Sequence, residues 1–257
     1  MTIDAGFDGE WAEWGHKATF VRRASMPFAL LETLKIEDGI GRNAHAHLAR
    51  LAASAGHFGY PWDGKAALTA LDRLLSERPR GVHRARLLLH ADGRLEAQAT
   101  PMVDHTGSAL VRLAQSPLVG AHGEFTHHKT TRRAHYDAFA PDEVVFDTLL
   151  WNGAREVTEF TRGNVAVKLE GRWITPPLTS GLLPGVGRTQ ELAAGRLVEQ
   201  VVRVDDLPRA EGIAFINSLR GWIDVQLDFG PDFSESQQPL FIAKGPTSPG
   251  PEDRRYD

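Results

Sequence analysis

Cysteine is absent from this 257-residue chain. Its absence excludes disulfide bonds, a thiolate nucleophile and cysteine-ligated zinc. Long hydrophobic runs are absent too, because no stretch approaches the ~20 apolar residues of a membrane-spanning helix. The N-terminal residues also lack the basic and continuously apolar regions of a signal peptide. We therefore expect a cytoplasmic protein that does not insert into a membrane.

Blocks of like charge are missing as well. The chain carries 29 Lys and Arg residues against 33 Asp and Glu, a formal net charge of −4, and its basic residues are scattered singly. A nucleic-acid-binding protein usually concentrates its basic residues in one patch or stripe. The sequence therefore predicts no nucleic-acid partner and favours a small-molecule substrate.

Several catalytic motifs are also missing. There is no GxSxG nucleophile elbow, which argues against Ser/His/Asp hydrolysis, and there is no P-loop or dinucleotide fingerprint. Histidines lie close together at His45 and His47, and again at His122, His127 and His128. No Asp or Glu completes a metal-binding spacing around either group, so we predict that the protein holds no metal.

Residues 1–117 are predicted to form a small α/β lobe, in which the first 25 residues are irregular. FALLETLKI has strand composition, and HAHLARLAASAGHFGYP and KAALTALDRLLSERP place apolar residues at helical spacing. Arg50 falls off the apolar stripe of the first helix and is not a core residue. HRARLLLH and RLEAQAT flank an Asp-Gly turn and predict a hairpin, while ALVRLAQ adds another strand to this lobe. Residues 118–124 are interpreted as a linker.

Residues 125–230 are predicted to form a larger lobe around a barrel-like sheet. VVFDTLLWN, REVTEF, NVAVKL and RWITPP are short strands separated by turn residues. RTQELAAGRLVEQ follows as a helix, and VVRV, GIAFINS and RGWIDVQLD supply further strands. Residues 231–257 are rich in Pro, Gly and charge and predict a mobile tail. The expected fold class is therefore α+β, with two lobes.

Lys129 is the most informative candidate for chemistry. It lies in HHKTTRRAHYDAF, an unusual composition for a plain surface helix, although an arbitrary lysine is most often solvated. A lysine that forms an imine must lose its proton at working pH. Burial and nearby cationic groups such as His128, Arg132 or Arg133 would lower its pKa and so favour that state.

Three further segments carry candidate binding residues. Glu159 lies on a strand, where it is either an exposed carboxylate or a partner for a pyridine nitrogen. GLLPGVGRT places Val186 and Gly187 at a helix start, where free amides bind anions, although a simple turn explains the glycines equally well. Asn217 and Ser218 follow an apolar strand and form either a second anion site or an ordinary turn.

Taken in order, these segments resemble the class IV aminotransferase family, the fold-type IV pyridoxal-phosphate enzymes. The resemblance covers residues 27–227. FALLETLK with HLARLAASAGHFGYP is similar to the N-terminal lobe of the family, and HHKTTRRAHYDAF is similar to its cofactor-lysine segment. TEFTRGNV with ITPPLTSGLLPGVGR is similar to the most specific block of the family.

The resemblance implies a role for each candidate residue. Lys129 would carry pyridoxal 5'-phosphate as a Schiff base, and Glu159 would pair with the pyridine nitrogen. Asn164 would support the site, and Tyr136 would contact the cofactor. The phosphate would be held by a group drawn from both lobes: Arg50, the backbone of Val186 and Gly187, and Asn217 with Ser218. The family also implies a homodimer.

HKTTRR, ETLK and NSLRG look most like 4-amino-4-deoxychorismate lyases, especially the lyase halves of fused para-aminobenzoate synthases. This likeness implies formation of para-aminobenzoate and pyruvate in folate precursor synthesis, with Thr33 as a candidate proton donor to the leaving group. Thr33 could equally be an ordinary strand residue. Two alternatives remain open: a class IV aminotransferase that acts on amino acids or amines, and a pyridoxal-phosphate-binding protein without catalysis.

Overall fold

The computed structural model describes residues 26–230. The irregular N-terminal segment and the mobile tail that the sequence predicts lie outside the described residues. Between them the chain forms two sheets with helices, which confirms the expected α+β fold with a small antiparallel lobe and a larger barrel lobe. No helix in this described part of the chain is both long and apolar enough to cross a membrane.

The small lobe is an antiparallel sheet with the strand order β2-β1-β3-β4 and two helices against one face. Asp63 begins the second helix by accepting hydrogen bonds from the amides of Lys65 and Ala66, both at 3.0 Å. The first helix ends at Gly59, whose φ of 70° suits a residue without a Cβ. The elements are β1 (Leu30–Glu37), β2 (Ile40–Gly41), α1 (Ala44–Phe58), α2 (Gly64–Ser76), β3 (Val82–Leu89) and β4 (Leu95–Pro101).

The two faces of this small sheet contact different parts of the protein: one packs against the helices and the other lines a cavity. Leu30, Leu34 and Ile36 are fully buried and pack in one hydrophobic cluster with residues of α1 and α2. Because successive side chains of a strand point to opposite faces, Leu31 and Thr33 point away from the helices and line a cavity. The small lobe therefore supplies one wall of that cavity.

The larger lobe is a sheet with the order β10-β9-β8-β11-β12-β5-β6-β7, and β7 also pairs with β8. This last pairing closes six of its strands into a barrel. Phe160, Val165 and Phe215 are among the side chains that fill the barrel core. The elements are β5 (Ala109–Leu113), α3 (Glu124–His127), α4 (Ala134–Asp137), β6 (Asp147–Trp151), β7 (Val157–Phe160), β8 (Gly163–Leu169), β9 (Arg172–Thr175), α5 (Val186–Ala193), β10 (Val198–Glu199), β11 (Gly212–Asn217) and β12 (Gly221–Asp228).

The prediction that the strand ALVRLAQ belongs to the small lobe was wrong. It forms β5, which lies in the barrel between β12 and β6 and pairs parallel with both. Its local pattern predicts a strand, but only long-range parallel pairing decides which sheet receives it. The chain thus passes from the small sheet to the barrel between Pro101 and Ala109, earlier than the change of lobe expected near residue 117.

Two element predictions in the second half were also wrong. The helix expected through RTQELAAGRLVEQ stops at Ala193, because Gly195 takes a φ of 70° and the chain then pairs as β10 with β9. VVRV was expected to be a strand, but a 3-10 helix begins at Val204. The Asp206 carboxylate accepts a hydrogen bond from the Arg203 amide at 2.8 Å, which favours this tight turn over an extended strand.

Candidate active site

A cavity of about 380 Å³ lies between the small sheet and the barrel, a size typical of small-molecule sites. All ten residues predicted to serve the cofactor or the reaction line it. They come from β1 and α1 of the small lobe, from the segment around Lys129, and from the barrel strands and turns: Thr33, Arg50, Lys129, Tyr136, Glu159, Asn164, Val186, Gly187, Asn217 and Ser218. Residues up to 185 positions apart in the chain therefore meet in one place.

Lys129 is positioned by the backbone next to it. Its carbonyl accepts a hydrogen bond from the Leu31 amide at 2.9 Å, and the Thr131 amide donates to the Ala29 carbonyl at 2.9 Å. The Thr131 hydroxyl in turn accepts from the Ala29 amide, also at 2.9 Å. The lysine segment is thus held against the start of β1, which fixes where the side chain enters the cavity.

The amine of Lys129 is set up to lose its proton. Burial, followed by repulsion from Arg50 and Arg133, lowers its pKa to about 8, against the opposing attraction of Glu32 and Glu159. Its Nζ forms no ion pair or hydrogen bond within residues 26–230. Of the three cationic neighbours suggested by the sequence, His128, Arg132 and Arg133, only Arg133 is among the causes of this lowered pKa. Arg132 instead lies over the rings of Phe28 and Phe125, and His128 is bonded to Ser54 at 3.0 Å.

In the cofactor-free protein, modification of Lys129 by a small amine reagent is expected to rise with pH around a midpoint near 8. Only the neutral amine attacks, and the neutral fraction grows as the pH rises through the pKa. Reductive methylation with formaldehyde, with Lys129 quantified by mass spectrometry at each pH, measures this midpoint. A midpoint above about 10, the value of an ordinary lysine, would contradict the electrostatic account.

Glu159 is a buried carboxyl group at the end of β7. The alternative that the sequence also allowed, an exposed carboxylate on a strand, was wrong. Its oxygens accept hydrogen bonds from the Tyr136 hydroxyl at 2.6 Å, the Leu183 amide at 3.1 Å and the Asn164 amide group at 3.4 Å. Burial raises its pKa to about 7, although the Tyr136 and Leu183 bonds and the charge of Arg133 oppose the rise. A cation placed beside it would favour the ionised form.

Tyr136 and Asn164 both act on Glu159. The Tyr136 ring is buried beneath the Arg133 guanidinium, 4.6 Å from the ring centroid, and burial raises the pKa of its hydroxyl, which stays protonated and donates. Asn164 pairs with Glu159 across the β7–β8 hairpin and also donates to the Leu183 carbonyl at 2.9 Å. Direct cofactor contact by Tyr136 remains a prediction, whereas its support of the carboxylate is visible.

The glycines of GLLPGVGR allow three segments to approach closely. A Cβ on Gly187 would lie 2.7 Å from the Asn217 carbonyl carbon and 2.9 Å from the Ser218 nitrogen, and one on Gly185 would lie 1.9 Å from Asn164 Oδ1. Only glycine fits at these positions. The amides of Val186 and Gly187 precede the first bond of α5, so they are free to donate into the cavity.

Two residues of the site were missed or misread in the sequence. Glu32 is buried and accepts from Arg50 Nε at 2.8 Å and from its terminal nitrogen at 2.7 Å. His47, which the sequence suggested only as a metal ligand, lies 2.7 Å from Glu32 and 2.8 Å from Ser218. The signal was present, because His47 and Arg50 are three residues apart and therefore share one face of α1. That spacing does not predict that β1, which carries Glu32, lies opposite this face of α1.

Two arginines on β3 bring further positive charge to the cavity. Arg84 and Arg86 lie two residues apart, so both point to the face that carries Thr33, and Arg86 is the direct cross-strand partner of Thr33. Neither forms an ion pair or a side-chain hydrogen bond with any described residue. The Nε atom of Arg86 is buried without a partner, which is costly unless a ligand supplies one.

A sequence model of the class IV aminotransferases matches residues 29–227. The chain belongs to this family. Its members depend on pyridoxal phosphate, and this class IV chain is accordingly a pyridoxal-phosphate-dependent enzyme, either a lyase or an aminotransferase.

Individual relatives of this class IV enzyme fall on both sides of that choice. It is 29% identical over 186 residues to a "putative aminodeoxychorismate lyase" of Schizosaccharomyces pombe, covering 68% of this chain and 79% of the other. It is 33% identical to a "putative amino-acid aminotransferase" of Mesorhizobium loti, with a TM-score of 0.73 over 78% of this chain and all of the other. A "putative 4-amino-4-deoxychorismate lyase" of Legionella pneumophila shares its fold at 19% identity, with a TM-score of 0.70 over 79% and 85% of the two chains.

Proposed function

We propose that this chain is a 4-amino-4-deoxychorismate lyase that forms para-aminobenzoate and pyruvate, a reaction of folate precursor synthesis. The observation that carries the proposal is that two arginines beside Thr33 on the cavity wall, Arg84 and Arg86, have no hydrogen-bond or ion-pair partner among residues 26–230. Each product carries one carboxylate, so their common precursor carries two. A wall with two free guanidinium groups complements such a dianion.

The residues in the cavity fit pyridoxal 5'-phosphate. Arg50 uses two donors on Glu32 and one on the Pro184 carbonyl at 3.0 Å, which leaves two of its five N–H groups for a phosphate. The free amides at the start of α5 and the Ser218 hydroxyl face the same corner. Lys129 would hold the aldehyde carbon, and Glu159 would face the ring nitrogen. When bound, the cofactor supplies an electron sink for the carbanion formed at the substrate carbon that bears nitrogen.

Three side chains then divide the work. With the cofactor bound, the neutral Lys129 amine would remove the proton from the substrate carbon that bears nitrogen, and a pKa near 8 suits a general base. The Glu159 carboxylate would favour the protonated form of the ring nitrogen. The Thr33 hydroxyl, which makes no side-chain hydrogen bond within residues 26–230, would donate a proton to the departing enolpyruvyl oxygen and regain one from the protonated Lys129 amine. The C–O bond breaks, the ring becomes aromatic, and the enol relaxes to pyruvate without any other reactant.

The experiment that tests this proposal is a product assay on the purified enzyme with its cofactor. Incubation with aminodeoxychorismate is expected to release para-aminobenzoate and pyruvate in equal amounts. The second candidate is an aminotransferase, which the Mesorhizobium loti relative favours, and it would use Lys129 and Glu159 in the same positions. Robust transfer of an amino group to a keto acid, with no para-aminobenzoate formed, would overturn the lyase proposal in favour of that second candidate.

Replacing Arg86 with Gln is expected to raise KM for aminodeoxychorismate by about tenfold or more, the effect of losing one hydrogen bond to a charged group. The expected change in kcat is small, because this contact is made equally in the ground and transition states. Steady-state kinetics of the Arg86→Gln variant measure both terms. Arg80→Gln, which removes an exposed arginine just before the same strand, is the matched control. An unchanged KM would remove Arg86 from substrate recognition.

A further inference from the structure

Glu32, His47 and Ser218 form a buried chain of hydrogen bonds that ends at the corner assigned to the phosphate. His47 Nδ1 lies 2.7 Å from Glu32 Oε2, and His47 Nε2 lies 2.8 Å from Ser218 Oγ. Glu32 and His47 are each 1% exposed and Ser218 is 6% exposed. The three residues come from β1, from α1 and from the turn after β11, so the chain spans both lobes. His47 has no role in the proposed lyase reaction.

The proton positions in this chain follow from its acidic end. Burial raises the pKa of the Glu32 carboxyl, but the charge of Arg50, its two hydrogen bonds and the neighbouring His47 outweigh burial and hold that pKa at about 2. Glu32 is therefore ionised and can only accept, so Nδ1 of His47 carries a proton and donates it. In a neutral imidazole the other nitrogen carries none. In that neutral state Nε2 accepts the Ser218 hydroxyl proton.

This arrangement is wrong for a phosphate dianion. A Ser218 hydroxyl that donates to His47 offers only lone pairs to the cavity, and Asn43 already donates to the same oxygen at 3.3 Å. A phosphate oxygen needs a donor at that position. The conflict disappears if Nε2 gains a proton, because the imidazolium then donates to Ser218 and frees the hydroxyl proton for the phosphate.

We propose that His47 is a positioning residue that couples binding of the cofactor phosphate to uptake of one proton from solvent. The protonated His47 donates to the Ser218 oxygen, so the Ser218 hydroxyl can donate its own proton to the phosphate. This inference rests on the proposed pyridoxal-phosphate site and not on the lyase reaction. The bound dianion stabilises the imidazolium, and Glu32 compensates its charge from the other side.

The charges that face His47 make this coupling selective for an anion. Glu32 faces it from β1, and Arg50 lies one turn along its own helix and shares the Glu32 carboxylate. The turn after β11 offers the uncharged Ser218, with Arg220 further along on the cavity wall, and Lys129 and Arg133 line the same cavity from the lysine segment. A bound anion would offset the repulsion between these cations and an imidazolium at this position.

The test uses pyridoxine 5'-phosphate, which carries the phosphate but no aldehyde, and the full-length Lys129→Ala protein, which removes the amine whose pKa is about 8. Calorimetric titrations in buffers of different ionisation enthalpy count the protons taken up on binding. Between pH 7 and 9 the phosphate is a dianion, since its second pKa is about 6. We expect His47→Gln in this background to lower proton uptake by about one per site and to flatten a roughly tenfold loss of affinity per pH unit.

His90→Gln is the matched control, because His90 is bonded to the exposed Glu96 and lies outside the cavity. Ser218→Ala is expected to lower proton uptake as His47→Gln does. Nitrogen NMR of histidine-labelled protein is the direct readout: Nε2 of His47 should change from unprotonated to protonated when the ligand binds. Binding with a His47 that stays singly protonated, or proton uptake that His47→Gln does not lower, would overturn the inference while leaving the cofactor proposal intact. Failure to bind pyridoxine 5'-phosphate would instead count against the cofactor site itself.

Discussion

Replacing Lys129 with alanine is expected to lower turnover by about 10⁴-fold, the upper end for loss of a general base, because the same amine also anchors the cofactor. The protein should still fold, since the Lys129 side chain makes no hydrogen bond or ion pair within residues 26–230 and the backbone bonds to β1 remain. The visible absorbance of the lysine-bound cofactor should vanish in parallel with activity.

Lys65→Ala provides the control for this variant, because Lys65 is exposed in the first turn of α2 and lies outside the cavity. It should keep the activity, the absorbance and the melting temperature of the parent protein. A Lys129→Ala protein that retained the visible band or more than about a tenth of the activity would show that another amine holds the cofactor.

Replacing Glu159 with Gln is expected to lower kcat by about 10²-fold to 10³-fold, the size typical of removing one preorganised electrostatic group. The amide cannot hold a cationic ring nitrogen, so the carbanion loses its electron sink while Lys129 still captures the cofactor. Absorbance spectra should therefore show bound cofactor, and single-turnover kinetics should show a slowed chemical step.

The Tyr136→Phe variant tests the hydrogen bond to Glu159 separately from the Glu159 carboxylate itself. It removes the 2.6 Å hydrogen bond to Glu159 but keeps the carboxylate, so we expect only about a tenfold loss, as for one hydrogen bond to a charged group. Equal losses in the Tyr136→Phe and Glu159→Gln variants would contradict the assigned role of the carboxylate.

Local patterns in the sequence predict most elements of this fold, and they do not predict how its sheets are assembled. Helices α1 and α2 and the β3–β4 hairpin follow from apolar spacing and an Asp-Gly turn. The place of β5 does not, since its parallel partners β6 and β12 are fixed by pairing across long stretches of chain. Local sequence suggested Lys129, Glu159 and the two anion-binding turns but left an ordinary alternative open for each, and the family resemblance assigned roles to all ten candidate residues.

The electrostatics of the site lay beyond the sequence for a similar reason. The pKa of Lys129 is lowered first by burial and then by Arg50, which is distant in the chain, whereas the nearby Arg132 is not among the causes. The His47–Ser218 hydrogen bond joins residues 171 positions apart. A helical His and Arg at i and i+3 indicate a shared face, but only the folded chain shows that Glu32 and Ser218 lie opposite that face.

The most direct test of this account is to find the lysine that holds the cofactor. The full-length enzyme, loaded with pyridoxal 5'-phosphate, is reduced with borohydride, digested and sequenced by mass spectrometry. We expect the added phosphopyridoxyl mass on Lys129, in the peptide that contains HHKTTR. The same mass on any other lysine, or on none, would contradict it.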